Sequence, residues 1–330
     1  MRAVVYDRIG PARDVLRLEN LPTPEPGPGE VRVRVLWSGV NPSDVKTRSG
    51  FRTQVLPFPR ITPHSDGMGV VDAVGEGVDA RRVGRRVWLW NAAWGRPWGT
   101  AAEFVCLPQR QAVDLPDGVE GEAGACLGIP ALTAMHAVLM DGGVAGKTVL
   151  VPGGAGAVGH YAVQLASRLG AARVFSTVSS AHKADLARQA GADEVILYKS
   201  EPVAQRLMEL TAGRGVDRVI ELDLAANAEL DLQVLRPGGE CVVYGSSQNT
   251  LSLPFPVLLA RNLSLKHFMV YHLEDADRAR ATSVLLRMLA RGELIHRIDE
   301  RLPLERVAEA HEKVEQGRAV GNVVLRVAEG

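Results

Sequence analysis

Apolar residues along the chain follow two periods, and the change between them falls near Lys147. In the first third, VRVRVL (31–36), GVVDAV (69–74) and RRVWLW (85–90) mix period-two alternation with β-branched residues between clusters of Gly, Pro and Asp. That is the signature of short, half-buried strands. Pro22, Pro24, Pro26 and Pro28 precede the first of them, and proline cannot donate to a central sheet ladder, so this stretch is a surface connection.

Beyond Lys147 the runs TVLV, RVFSTV, EVILY, VDRVIEL and ECVVYG alternate with the helical patterns HYAVQLASRLG, SAHKADLARQAG and EPVAQRLMELTAG. Strands separated by helices of about 10 to 15 residues predict βαβ units, hence a doubly wound parallel sheet covered on both faces. LSLKHFMVY then reads as a further strand, DADRARATSVLLRMLARGEL as a helix, and GNVVLRV as a late strand able to rejoin the β-rich part. The fold class is α/β, with a nucleotide-type domain over 122–272 inserted into a β-rich domain made of 1–121 and 273–330.

Composition narrows the function. A chain of 330 residues, 46% hydrophobic and 23% charged, has enough apolar surface for two cores and is not disordered. Thirty-eight Lys and Arg balance thirty-eight Asp and Glu, which leaves no basic excess for counterion release on nucleic acid or an anionic membrane. Cys106, Cys126 and Cys241 lie scattered, without CxxC spacing, so neither a disulfide framework nor a closed zinc site is expected, and a reducing cytoplasm fits. MRAVVYDRIG is interrupted by Asp7 and Arg8, and no run of about 18 apolar residues follows. Neither a signal peptide nor a membrane-spanning helix is predicted.

The sharpest pattern is Gly154-Ala155-Gly156-Ala157-Val158-Gly159, a GxGxxG directly after the strand TVLV, with an amphipathic helix predicted to open at its last glycine. In that context the glycines allow a tight turn, backbone approach to a pyrophosphate, and close packing of helix on strand. The amides of Ala157 and Val158 belong to the same anion-binding end. A dinucleotide site selective for NAD carries an acidic residue about 20 residues further on, for the ribose 2′-OH. Here Ser179 and Ser180 stand there, with Lys183 one helical step later. Hydroxyls and an ammonium suit a 2′-phosphate, which makes NADPH the expected cofactor. Ser180 as a helix cap and Lys183 as a solvated cation remain compatible with that role.

These residues, with PxPxPGxGE (22–30), GVNPSDVKTRSG (39–50), PHSDGMGVV (63–71), GTAAEFV (99–105), LGIPALTA (127–134), LRPGGECVVYG (235–245) and AHEKVEQGRAVGNVVL (310–325), run nearly end to end. In that order the chain resembles the zinc-free, ζ-crystallin-like quinone oxidoreductase branch of the medium-chain dehydrogenase/reductase superfamily. The resemblance implies a GroES-like catalytic domain, a Rossmann domain, a cleft between them, and a homodimer joined through the strand around Leu263 to Val270. It also places Thr133 near the nicotinamide, Tyr198 near the adenosine phosphate, and Gly245, Ser246 and Asn322 at the cofactor. Relatives often carry Lys where Asn322 stands.

Zinc alcohol dehydrogenases are the rival within the superfamily. Catalytic zinc needs three protein ligands, and Asn41, Ser65 and Ile129 occupy the corresponding positions. His64 lies one residue early and reads as a loop or turn histidine; the four-cysteine structural lobe is missing. No metal is therefore expected, and carbonyl polarisation must come from fixed donors. The implied reaction is hydride transfer to a quinone or to the C=C of an α,β-unsaturated carbonyl, with Asn41 donating to the substrate oxygen and Asp44 organising its loop. Lys46, where several relatives carry Tyr, is a candidate cationic donor or a solvated lysine. Asn41-Pro42 is equally consistent with ordinary turn chemistry. Enoyl thioester reduction, or NADPH binding without turnover as a sensor or structural protein, are the alternatives. Trp88 and Trp90 share a strand face and read as core, while Trp94 and Trp98 lie in a loop that borders either a substrate or a packed surface.

Overall fold

The structure, a computed structural model, describes residues 1–52 and 54–329. Chain contacts divide it into two compact units, Met1–Pro130 with Leu286–Gly330, and Ala131–Leu285. Relative to the sequence expectation, the chain crosses nine residues later at the first passage and thirteen later at the second. The helix Asp275–Ala290 enters from the second unit, where Arg278 donates to the Val270 carbonyl at 2.6 Å.

The first unit opens with β1 (Arg2–Val5), β2 (Arg17–Asn20), β3 (Glu30–Val40), β4 (Asp66–Val74), β5 (Arg86–Leu89), β6 (Phe104–Pro108) and β7 (Ala112–Asp114). The second unit holds β8 (Thr148–Pro152), β9 (Arg173–Val178), β10 (Glu194–Leu197), β11 (Val216–Glu221), β12 (Leu235–Val243) and β13 (Ser264–His267). After it the chain returns to the first unit for β14 (Ile298–Pro303) and β15 (Asn322–Arg326).

Strand β3 is the spine of the first unit. Its alternation turns Val31, Val33 and Val35 into a core shared with Val71, Val87, Leu107 and Leu325, while Arg32 faces outward and its Nε meets Asp72 at 3.0 Å. The sheet order is β14-β15-β3-β4-β5-β7, with β6 also paired to β3. The late strand β15 lies antiparallel on β3, Val323 opposite Val40, as the GNVVLRV pattern leads one to expect.

The second unit is a parallel sheet in the order β10-β9-β8-β11-β12-β13. Its central strands are continuous apolar runs, with Leu150, Phe175, Val219 and Cys241 in one cluster, because helices cover both faces of such a sheet. The order reverses between β8 and β11, the position at which doubly wound sheets bind ligands beyond the strands' carboxyl ends.

Candidate functional site

At the end of β8 the backbone turns through Gly153, whose φ is +71°, a left-handed conformation that costs a side-chain-bearing residue about 1 to 2 kcal/mol. The conformational demand thus falls one residue ahead of the six-residue pattern. Gly154 and Gly159 are required by space: a Cβ on Gly154 would lie 2.2 Å from Ser176 Oγ, and one on Gly159 2.2 Å from the Gly153 carbonyl oxygen. Gly156 is less confined, its nearest neighbour being that same carbonyl at 3.2 Å. The following helix spans Ala157–Arg168, so it opens two residues before the expected start and takes Gly159 into its first turn. The amides of Ala157, Val158 and Gly159 have no intrahelical acceptor by helix geometry, and the dipole there favours negative charge. Free donors beside closely approachable backbone fit a pyrophosphate.

Ser176, on β9, holds this turn and has no counterpart in the sequence reading. Its hydroxyl accepts the Gly154 N–H at 3.1 Å and donates to the Val151 carbonyl at 2.7 Å. Ser179, Ser180, Tyr198, Gly245 and Ser246 gather at the same edge, because each follows the carboxyl end of a parallel strand. Ser179 follows β9, and Ser180 caps the helix Ala181–Gln189 by accepting the Lys183 N–H at 3.4 Å, so the capping role is present. Lys183 is half-buried. Tyr198 follows β10, exposed, with its N–H on the Val178 carbonyl at 3.1 Å. Gly245 follows β12, and a Cβ there would meet the Leu222 carbonyl oxygen at 2.1 Å. Ser246 Oγ donates to the Gln248 carbonyl at 2.8 Å. Thr133 is buried within the helix Leu132–Leu139. Asn322 belongs to the first unit, where its side-chain N–H and its backbone N–H both go to the Arg297 carbonyl, at 3.0 and 2.9 Å.

In the first unit Asn41 ends the run of β3 and precedes the helix Pro42–Arg48. Its backbone N–H donates to Asp44 Oδ2 at 2.8 Å, and the Asp44 N–H returns to the Asn41 carbonyl at 3.0 Å. Turn chemistry and a fixed side chain therefore coexist. The Asn41 amide Nδ2 donates to Asp66 Oδ2 at 3.0 Å, and the same oxygen accepts the Ile129 N–H at 3.1 Å. Burial pushes Asp44 up to about 7 against the Asn41 hydrogen bond and the Arg52 charge. It pushes Asp66 well above the usual carboxylate range, against the Asn41 bond and with the Asp44 charge adding to the rise. Lys46 turns its ammonium over the Phe51 ring, 5.0 Å from the centroid, a cation–π contact.

His64 precedes β4 outside any regular element, with φ +80°, and its ring is wholly buried, so the expected loop histidine is also a core residue. Its Nδ1 lies 2.8 Å from Ser38 Oγ and its Nε2 2.9 Å from His311 Nε2. Ser38 Oγ is 2.8 Å from Thr100 Oγ1, which donates to the Asp66 carbonyl. That last bond sets the direction of the chain: Thr100 accepts from Ser38, Ser38 from His64 Nδ1–H, and His64 Nε2 from His311 Nε2–H. Burial drives His64 down to about 3, and burial with the nearby His64 and Arg48 holds His311 well below the usual imidazole value. Among the described residues no group of three or more His, Cys, Asp and Glu side chains is placed to hold a metal. No helix among them is long and apolar enough to cross a membrane. Trp88 and Trp90 are buried as expected; Trp94 and Trp98 are exposed.

A β-rich unit and a doubly wound unit with a spatially enforced glycine turn define a dinucleotide-binding class. Residues 27–117 match the alcohol dehydrogenase GroES-like domain, and residues 157–287 match the zinc-binding dehydrogenase family. The chain is 33% identical to a quinone oxidoreductase of Pseudomonas aeruginosa, over 94% of this chain and 95% of that protein. Its structure superposes on Escherichia coli quinone oxidoreductase complexed with NADPH with a TM-score of 0.89 at 25% identity, covering 99% of this chain and all of the other. It superposes on an NAD-dependent alcohol dehydrogenase with a TM-score of 0.91 at 33% identity, covering 99% and 100%. The chain belongs to the medium-chain dehydrogenase/reductase superfamily, among its quinone oxidoreductase relatives.

Proposed function

We propose that the protein is an NADPH-dependent, zinc-independent oxidoreductase that reduces a quinone or the C=C of an α,β-unsaturated carbonyl. The reading is carried by the turn at Gly153–Gly159 followed, at the end of β9, by Ser179 and Ser180 in place of a carboxylate. When bound, the cofactor supplies a hydride. The amides of Ala157, Val158 and Gly159 receive its pyrophosphate, and Ser179, Ser180 and Lys183 receive its 2′-phosphate. Thr133, Tyr198, Gly245 and Ser246 line the rest of its path.

Asn41 supplies the electrophile. One of its amide protons is held by Asp66, and the other donates to the substrate oxygen as negative charge collects there. Asp44 fixes the Asn41 backbone. Zinc independence is supported by Asn41, Ser65 and Ile129 at the positions that the resemblance assigns to the zinc ligands, with both nitrogens of the adjacent His64 already engaged. The E. coli relative supports NADPH, while the alcohol dehydrogenase neighbour is described as NAD-dependent. A cytoplasmic homodimer completes the reading.

The test is NADPH oxidation at 340 nm against a panel of quinones, enals and enones, with cofactor Kd measured alongside. Turnover of at least one acceptor with NADPH bound more tightly than NADH is expected, and Lys183→Ala narrows that preference. Tighter NADH binding, or about one tightly held zinc per chain, overturns the cofactor or the metal assignment respectively. NADPH binding with no turnover of any acceptor overturns the reaction.

A further inference from the structure

We infer that Asp66 is a positioning residue that fixes the Asn41 side-chain amide so that its second N–H faces the substrate oxygen. The inference rests on the reaction proposed above.

Three observations converge. First, Asp66 Oδ2 accepts a backbone N–H, that of Ile129, at 3.1 Å. A main-chain amide is a donor only, so this oxygen accepts there, and where it carries no proton it accepts from Asn41 as well, which turns the Asn41 nitrogen to it. The 3.0 Å bond to Nδ2 therefore fixes which end of the amide is which. The second N–H of the same nitrogen is left to donate elsewhere.

Second, Asp66 cannot yield. Its own carbonyl receives Thr100 Oγ1, the end of the buried chain that begins at His311 and runs through His64 and Ser38. On the other side Gly128 closes in, since a Cβ there would lie 2.3 Å from Asp66 Oδ1. Asn41 is gripped twice, its backbone by Asp44 at 2.8 Å and its side chain by Asp66. Both carboxylates act on a residue that is itself buried.

Third, the arrangement is poor economy for structure alone. Asp66 is wholly buried, and its Oδ1 has no hydrogen-bond partner among the described residues. A buried carboxyl with one bare oxygen is unfavourable relative to an apolar residue of similar size. The contacts that Asp66 does make from its side chain both run through Oδ2, to the Asn41 amide and the Ile129 N–H, and the orientation of Asn41 is what they serve.

The experiment combines Asp66→Ala, Asp66→Asn and Asn41→Ala, singly and in pairs. Small misplacement of a catalytic group costs on the order of 100-fold. Asp66→Ala is therefore expected to lower kcat/KM by about 100-fold, with NADPH Kd unchanged. Asp66→Asn, which keeps an oxygen for the two N–H donors, loses much less. In the Asn41→Ala background Asp66→Ala costs little more, because both act through one group. Losses that multiply, or a fall in NADPH affinity equal to the fall in kcat/KM, overturn the inference. A second readout is independent of turnover and of whether Asp66→Ala folds. In amide NMR, the Asn41 side-chain signal, identified by its disappearance in Asn41→Ala, shows one proton slow to exchange in the wild type and faster in Asp66→Asn. Equal, fast exchange of both protons in the wild type overturns it. If the wild type reduces no acceptor, the proposed reaction fails, while the NMR result still decides whether Asp66 holds Asn41.

Discussion

His64 and His311 face each other through their Nε2 atoms at 2.9 Å, with stacked rings 5.1 Å apart, in the interior of the first unit. The contact joins the segment ahead of β4 to the helix Val307–Glu315, and it holds His64 at φ +80°. That backbone conformation suits glycine. His64→Gly relieves the strain and His64→Ala does not, so the glycine variant is expected to be more stable than the alanine variant by about 1 kcal/mol. Both fall below the wild type, since Ser38 and His311 each lose a buried partner, a cost of about 1 to 3 kcal/mol. Equilibrium unfolding in urea measures the order; an alanine variant as stable as the glycine variant contradicts the strain.

The same pair makes an acid-side contribution of definite sign. Both imidazoles are neutral when folded, His64 at about 3 and His311 well depressed, while the unfolded chain titrates near pH 6.5. Their stabilising contribution is complete above about 6.5 and is lost as pH falls below it, amounting to about 1.4 kcal/mol for His64 by pH 5.5, with His311 acting in the same direction. Buried carboxyls such as Asp44 act in the opposite direction, so the measurement must be a difference. The stability gap between the wild type and His64→Gly/His311→Leu is expected to shrink by about 1.4 kcal/mol or more between pH 7.5 and 5.5. Parallel curves refute it.

What was legible from the sequence was local. The alternation of Val31, Val33 and Val35 marks an inward face, and the run Val149 to Val151 marks a buried central strand, because both signals lie within a few residues. The spacing of Gly154 and Gly159 announces a turn in the same way, although the adjacent Gly153 carries the left-handed conformation and the pattern match passes over it. Asp66, Ser176 and His311 carry no local signal. Their meaning comes from partners 25, 22 and 247 residues away, and only the folded register brings those together. Lys46 and Asn322 show the converse: an ammonium over Phe51 and an amide committed to the Arg297 carbonyl are packing choices that no spacing encodes.

Asp44 yields a prediction on the other side of the pH scale. Its folded value is about 7 against 3.8 for the ordinary carboxyl, so the folded state holds a proton that the unfolded chain has released. The advantage is full below 3.8 and declines by about 1.4 kcal/mol per pH unit as pH rises to 7, after which it is constant. Asp44→Asn has no such proton. The stability of the wild type relative to Asp44→Asn should therefore decrease from pH 4 to 7 and level off above; a difference independent of pH contradicts the raised value.

In the glycine turn, space separates residues that the pattern treats alike. Gly154→Ala and Gly159→Ala force contacts of 2.2 Å, against Ser176 Oγ and the Gly153 carbonyl respectively, whereas Gly156→Ala meets its nearest neighbour at 3.2 Å. The first two are expected to lower Tm and weaken NADPH binding together. Gly156→Ala should leave Tm nearly unchanged and raise the Kd for NADPH by about tenfold or more, because in the proposed binding mode the pyrophosphate approaches this backbone closely. Thermal unfolding without cofactor and fluorescence titration with it separate the two effects. Loss of Tm in Gly156→Ala would show that this glycine serves the fold instead.

Ser176 links the turn to the neighbouring strand, and its removal tests how firmly the turn is held in advance of the ligand. The hydroxyl takes the Gly154 N–H and gives its proton to the Val151 carbonyl. In Ser176→Ala the N–H of Gly154 is buried without an acceptor, at a cost of about 1 to 3 kcal/mol. Ser176→Cys keeps a weak donor and acceptor in nearly the same place. The expected order of NADPH affinity is wild type, then Cys, then Ala, with the second unit melting in the same order, since pre-organised backbone donors lower the ordering cost of binding. Affinity unchanged in Ser176→Ala, with Tm lowered, would mean that the turn keeps its shape without the latch and that Ser176 serves the sheet alone.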